Sequence, residues 1–192
     1  MCSVLELATR RVSVRKFLSK PVDLRDVFYA IDAARNAPSG ANKQPWRFVI
    51  VTDQELKKRI REQCEEAERE FHSRAPEWMR RWLSEKGITW RKEFLIEAPV
   101  LVLVFGRTGE PYWVQSVWLA VGYMLLALEE KGLSSLTYTP PEVGWANELL
   151  DVPKEYILQT IIPVGKTGEH NTQKERLSLD KIGYCNKWGQ KC

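Results

Sequence analysis

Arg11, Ser13 and Arg15 alternate with Val12 and Val14. Successive side chains of an extended chain point to opposite faces, so the three polar groups share one face and the two valines the other. Two guanidinium forks and a hydroxyl at that spacing can cradle a phosphate. A solvated basic segment is the competing reading of the same residues. A second stretch runs Ala37-Pro38-Ser39-Gly40-Ala41-Asn42-Lys43-Gln44-Pro45-Trp46 and opens with small residues. Small residues let a backbone approach a flat ligand and offer it N–H donors. An ordinary turn has the same composition, and the residues alone leave both readings open.

Other chemistries lack their residues. The two histidines, His72 and His170, belong to no HExxH-type pair, so no metal site is expected. The four cysteines (Cys2, Cys64, Cys185, Cys192) form no CxxC pair, which argues against a zinc site and a redox dithiol. There is no GxGxxG or Walker loop, so a nicotinamide cofactor would have no dedicated Rossmann site. Arg80, Arg81 and Arg91 interleave with Trp78, Trp82 and Trp90, a pattern that can bind single-stranded nucleic acid. The net charge is only +4 and no binding motif accompanies the cluster, so small anionic ligands are the better match and no nucleic-acid partner is expected.

These residues need elements to position them. Pro21 and Asp23 open a helix whose Leu24, Val27, Phe28, Ile31 and Ala34 recur at helical spacing, closed by Pro38-Ser39-Gly40. A strand follows from Arg47 to Val51. Thr52 and Glu55 suggest a capping box for a long charged helix, with Leu56, Ile60, Cys64, Ala67 and Phe71 as its apolar stripe. Ser73 to Leu95 is rich in Trp and Arg and lacks a clean stripe, which suggests an excursion or lid. Its tryptophans, part of a total of eight, either cover a flat substrate or pack. Val100 to Phe105 reads as a strand covered on both faces. The run from Tyr112 to Leu128 is apolar on nearly every face but too short for a membrane span, so it predicts a buried helix at the domain centre or a subunit interface, ended by Gly132. Ser134 to Thr139 and Ile157 to Val164 read as strands and Trp145 to Leu150 as a short helix. The polar tail has Leu177, Leu179 and Ile182 as its obvious anchors.

At 192 residues, with 44% hydrophobic and 28% charged, one globular domain spanning 1–192 is expected, with a lid at about 66–95. The fold class is α+β: a sandwich with one mixed central sheet flanked by helices and a helical lid. No apolar signal core opens the sequence, and a reducing cytoplasmic setting is the default.

"RVSVRKF" followed by "APSGANKQPWRFVIV" resembles the opening signature of the nitroreductase superfamily, and the similarity extends over nearly the whole chain. "APSGA", "TYTPPEVG" and "RLSLDKI" are similar to its iodotyrosine deiodinase branch. The resemblance implies bound FMN at the interface of a homodimer. Arg11, Ser13, Arg15 and Arg176 would hold its phosphate, although Val12 stands where a second Arg is more usual. Pro38, Ser39, Gly40 and Asn42 would line the flavin and the Ala41 N–H would face the substrate. Thr137, Tyr138 and Thr139 would flank the isoalloxazine, with the Thr139 hydroxyl donating to N5 as the catalytic contact. Such a donor stabilises one protonation state of the ring and makes one-electron steps accessible. The deiodinase branch also grips the zwitterion of a halotyrosine with Glu, Tyr and Lys from its lid. Glu68 and Lys92 match two of these positions, but His72 stands in place of the Tyr. Glu68 and His72, at i and i+4, share a helix face, as an ordinary surface pair also would.

The function so implied is an FMN-dependent oxidoreductase that passes electrons from NAD(P)H or another donor to an aromatic acceptor: a nitroaromatic, a quinone or a halophenol. Lacking its own nucleotide site, NAD(P)H would use the same open site as the second substrate, giving ping-pong kinetics. The alternatives are a reductive dehalogenase of halotyrosines and a flavin-binding protein without turnover.

Overall fold

The computed structural model describes residues 3–169 and 175–191; His170 lies outside the described residues. Among the described residues, eight helices and five strands follow one another along the chain. They are α1 (Val4–Arg10), β1 (Phe17–Leu18), α2 (Leu24–Arg35), β2 (Trp46–Val51), α3 (Gln54–Arg74), α4 (Glu77–Glu85), α5 (Phe94–Glu97), β3 (Val100–Arg107), α6 (Trp113–Glu130), β4 (Ser134–Ser135), α7 (Trp145–Leu149), β5 (Tyr156–Thr167) and α8 (Leu179–Ile182). A one-turn 3-10 segment, Gly40–Asn42, precedes β2.

The sheet order is β1-β5-β3-β2, with β4 also on β5. Every ladder between named strands is antiparallel, and among the described residues the parallel component is one bridge between Ser13 and Ser135. β3 explains the sandwich. Its Val100, Val102 and Val104 pack with Val27, Ala30 and Ala34 of α2 and Val117, Val121 and Met124 of α6. Its Leu101, Leu103 and Phe105 pack with Ile60 and Cys64 of α3 and Phe94 and Leu95 at α5. A strand with period-two alternation and apolar residues in both registers is stable only with a helical layer on each side. Each fully buried Leu, Val or Phe contributes roughly 1.5–3 kcal/mol.

Four expectations need correction. The cap of α3 is Asp53, whose carboxylate accepts from the Leu56 N–H at 2.7 Å, and Glu55 instead pairs with Lys58. A carboxylate next to the first turn displaces the Thr52 hydroxyl because it caps and also meets the helix dipole. The buried face of α3 comprises Ile60 and Cys64 with the charged Lys57, Glu65 and Glu68, while Phe71 is exposed. Ile60 and Cys64 keep the expected stripe, with Leu56 packed beside them, and the charged residues join it because Lys57, Glu65 and Glu68 find partners far along the chain. The segment from Ser134 keeps its ladder only to Ser135 and touches β5 again at Tyr138, which bridges Ile161. Leu177, Leu179 and Ile182 are exposed in the isolated chain, so they anchor nothing within it.

The helix α6 divides its apolar residues between two surroundings. Val117, Ala120, Val121, Met124 and Leu128 are buried, whereas Trp118, Leu119 and Tyr123 are exposed. Among the described residues, no helix is long and apolar enough to cross a membrane.

Candidate active site

The amino-terminal segment leaves α1 at Arg11 with extended backbone. Val14 is buried and its N–H donates to the Ser135 carbonyl at 3.1 Å, which turns Arg11, Ser13 and Arg15 away from the core as the alternation requires. Ser13 bridges Ser135, so the basic segment lies directly beside the stretch that carries residues 137–139. Arg15 is exposed and its N–H donates to Glu169 at 2.7 Å. Arg176 is exposed in the irregular run 175–178.

The small-residue loop is a strained, tied turn. Ala41, Asn42 and Gln44 all have positive φ, 48°, 55° and 46°, in the left-handed region that costs most residues about 1–3 kcal/mol each. The Ser39 hydroxyl accepts from the Gln44 N–H at 3.1 Å. The Gly40 N–H donates to the Ser116 hydroxyl at 3.2 Å, and that hydroxyl donates to the Tyr112 carbonyl at 2.7 Å. A Cβ at Gly40 would lie 2.3 Å from the Pro111 carbonyl oxygen, so only glycine permits this approach. Pro38, Ser39 and Gly40 line an open cavity of about 270 Å³ with Tyr112, Gln115, Ser116 and Leu119. Ala41 and Asn42 stand exposed beside it.

Period-two alternation splits residues 137–139. Thr137 and Thr139 are exposed and Tyr138 is buried. The Thr139 hydroxyl makes only a long contact, 3.3 Å, to the Gln159 carbonyl. Tyr138 points the other way: its hydroxyl donates to Glu68 Oε1 at 3.0 Å, and its backbone N–H and carbonyl are both paired with Ile161.

Glu68, His72 and Lys92 do come together. Lys92 Nζ is 3.1 Å from Glu68 Oε2, with both side chains at most one-tenth exposed. Lys92 also donates to the Thr89 carbonyl at 2.6 Å, and its backbone N–H donates to Glu65 at 2.8 Å. Glu65 in turn holds Arg61 at 2.7 Å. His72 Nε2 is 3.4 Å from Glu68 Oε2 but misaligned, leaving a buried nitrogen without a hydrogen bond. Behind them Cys64 is buried in the same apolar cluster as Tyr138. Burial pushes the proton affinities of both the Cys64 thiol and the Tyr138 phenol well up. Both therefore stay protonated.

The segment expected to form a lid folds as α4, the turn at Gly87 and the run to α5. Leu83 seats it in the molecule, Trp90 is flanked by Arg69 and Arg91 at 4.7 and 5.2 Å, and Trp78 remains exposed. The Tyr138 and Glu65 contacts were missed in the sequence. The Tyr138 orientation had a usable signal, the alternation within Thr137-Tyr138-Thr139; the pairing of Glu65 with Lys92 spans 27 positions and had none.

An antiparallel sheet between two helical layers, with a basic extended segment beside residues 137–139 and a small-residue loop lining an open cavity, defines a nitroreductase-type oxidoreductase fold. The chain belongs to the nitroreductase family, whose model matches residues 8–166. It is 49% identical over 165 residues to the iodotyrosine deiodinase of Thermotoga neapolitana, covering 86% of this chain and 89% of that protein. Iodotyrosine deiodinase 1 of Rattus norvegicus is 36% identical over 193 residues, covering 92% of this chain and 67% of the relative. A crystal structure of oxidized iodotyrosine deiodinase bound to FMN and 3-iodo-L-tyrosine superposes with a TM-score of 0.90 at 45% identity, covering 97% of this chain and 100% of that one.

Proposed function

We propose that this protein is an FMN-dependent reductive dehalogenase of halogenated tyrosines. The observation that carries this reading is the buried Glu68–Lys92 pair beneath the lid. One carboxylate and one ammonium at a single point match the ammonium and carboxylate of a free amino acid, and a simple nitroaromatic has no use for them. The iodotyrosine-bound relative supports the same reading.

The residues fit an FMN. Arg11, Ser13 and Arg15 form a cationic face beside the 137–139 segment, with Arg176 as a further candidate for the phosphate. Pro38, Ser39 and Gly40 offer a flat backbone surface that a Cβ at Gly40 would destroy, and Asn42 borders it. The backbone of Tyr138 holds Thr137 and Thr139 on the exposed face, where the loosely engaged Thr139 hydroxyl is the donor available to flavin N5. When bound, FMN supplies the electrons that, with a proton, convert a carbon–halogen bond to carbon–hydrogen and release halide. The protein positions the acceptor. Lys92 takes the substrate carboxylate, Glu68 takes its ammonium, and the Ala41 N–H faces the phenolate oxygen, whose negative charge an N–H donor stabilises. The lid excludes water.

The cavity of about 270 Å³ is small against the roughly 300–1,000 Å³ of ordinary ligand sites, which supports a site completed by a second copy in a homodimer. NAD(P)H or another reductant would have to enter this same face. His72, where the deiodinase branch has a tyrosine, favours a second reading with nitroaromatic or quinone acceptors. The test is the visible spectrum of the purified protein, followed by titration with diiodotyrosine and a simple nitroaromatic while the flavin band is monitored. Perturbation by diiodotyrosine supports dehalogenation. Indifference to it, with reoxidation of reduced flavin by the nitroaromatic, supports the second reading. Failure to bind FMN sinks both.

A further inference from the structure

We infer that Tyr138 is a positioning residue that fixes the Glu68 carboxylate as the receptor for a substrate ammonium, so that it sets selectivity for amine-bearing halophenols. This rests on the dehalogenase reading above and goes beyond it in assigning the discrimination to a residue outside the lid. Glu68 sits on α3 and has two oxygens to orient. Oε2 faces Lys92 at 3.1 Å and His72 at 3.4 Å, and Oε1 receives the Tyr138 hydroxyl at 3.0 Å.

Of these three partners, Tyr138 alone is anchored in the sheet. Both of its backbone polar groups pair with Ile161, and its carbonyl also receives the Thr160 hydroxyl. Its ring meets Phe94 edge-on at 5.4 Å between centroids, and Lys92 Nζ lies 5.7 Å from the ring centre. Lys92 and His72 belong to the covering segment and its supporting helix. Glu68 is thus held from the sheet side independently of the segment that carries Lys92. A carboxylate with one oxygen fixed by a hydroxyl keeps its remaining lone pairs aimed in one direction, and a pre-aimed acceptor binds a cation without first losing its own rotamer freedom. The same residue carries Thr137 and Thr139 on the opposite face, so one short segment ties the orientation of Glu68 to the cofactor side of the site.

The test compares 3-iodotyrosine with its des-amino analogue, the iodinated hydroxyphenylpropanoate, on the FMN-loaded protein. Binding is followed by the flavin band and by calorimetry, and turnover is followed as KM against kcat. Removing a hydrogen bond to a charged group corresponds to about ten- to hundredfold in binding. Tyr138→Phe is therefore expected to weaken 3-iodotyrosine at least about tenfold through KM, with kcat and the affinity for the des-amino analogue little changed. Glu68→Gln should show the same selective loss, and the double variant should add little to either single one, because both act through one contact. Equal losses for the two ligands, or loss of flavin, would mean a purely structural role and overturn the inference. So would Tyr138→Phe binding both ligands as wild type does. If the wild-type protein itself ignores 3-iodotyrosine, the dehalogenase reading fails and takes this inference with it, an outcome distinct from failure of the variant alone.

Discussion

Lys57 shows what burial does to a single charge in this fold. Its side chain is fully buried on α3, and its ammonium donates to the carbonyls of Ala98 at 2.7 Å and Ile96 at 3.4 Å, at the end of α5. Desolvation lowers its proton affinity from the ordinary 10.5, with the Asp53 charge opposing. Replacing it by methionine strands a buried carbonyl, which outweighs relief of the charge, so Lys57→Met is expected to lose about 1 kcal/mol at neutral pH. The pH dependence has a definite sign. Below the lowered folded value, the amine is charged in both states and the desolvation cost is fully present. Between that value and 10.5 the unfolded chain holds more protons, so stability attributable to Lys57 rises with pH. Urea unfolding at pH 7 and pH 10 should show the gap between wild type and variant widening in favour of wild type; a gap that does not move refutes it. Residues of this kind were the least legible. The alternation of Arg11, Ser13 and Arg15 and the i,i+4 spacing of Glu68 and His72 were readable because the periods of strand and helix fix them. Lys57 and Glu65 looked like solvated helix charges because their partners lie far along the chain.

At the scale of elements, the loop 38–44 and the start of α6 act as one unit. Gly40 touches the Pro111 carbonyl, Ser116 links Gly40 to Tyr112, and Tyr112 itself has a φ of 53°. A Cβ at position 40 meets backbone, which cannot swing aside as a flexible side chain can. Gly40→Ala is expected to cost about 1–3 kcal/mol, as overpacking does, and to reduce flavin retention more than a surface substitution of equal stability cost. A thermal melt with and without added FMN checks this: unchanged melting in both conditions would show that the loop and α6 separate freely. The small residues had marked this loop as a place for close backbone approach. Its left-handed turn through Ala41, Asn42 and Gln44 was invisible, because neither Ala nor Gln signals positive φ. Similarly, Ser134–Thr139 had the composition of a strand. What breaks it is competition, since the Ser135 carbonyl is taken by Val14 and pairing resumes only at Tyr138.

For the whole molecule, the sandwich follows from one sequence feature, the doubly apolar β3, which demands helices on both faces; the antiparallel ladders require the actual strand order and could not be read from composition. The exposed apolar surface is what a single copy leaves unexplained. Trp118, Leu119 and Tyr123 project from α6, Val4 and Leu5 from α1, and Leu177, Leu179, Ile182 and Trp188 from the tail. Soluble monomers rarely leave so much apolar surface uncovered. The exposed Leu119 also lines the cavity beside Pro38, Ser39 and Gly40, so whatever covers α6 also closes that cavity. A second copy meets both needs at once. Size-exclusion chromatography with light scattering should give twice the 22.3 kDa chain mass. Trp118→Asp, placed on the exposed face outside the cavity lining, should bury an unpaired charge at the interface and shift the protein toward monomer. If the flavin site is shared between copies, that variant should lose FMN in proportion to the monomer formed. A monomer that retains its flavin would show that one chain holds the whole site, and the exposed face of α6 would then have no part in binding the cofactor.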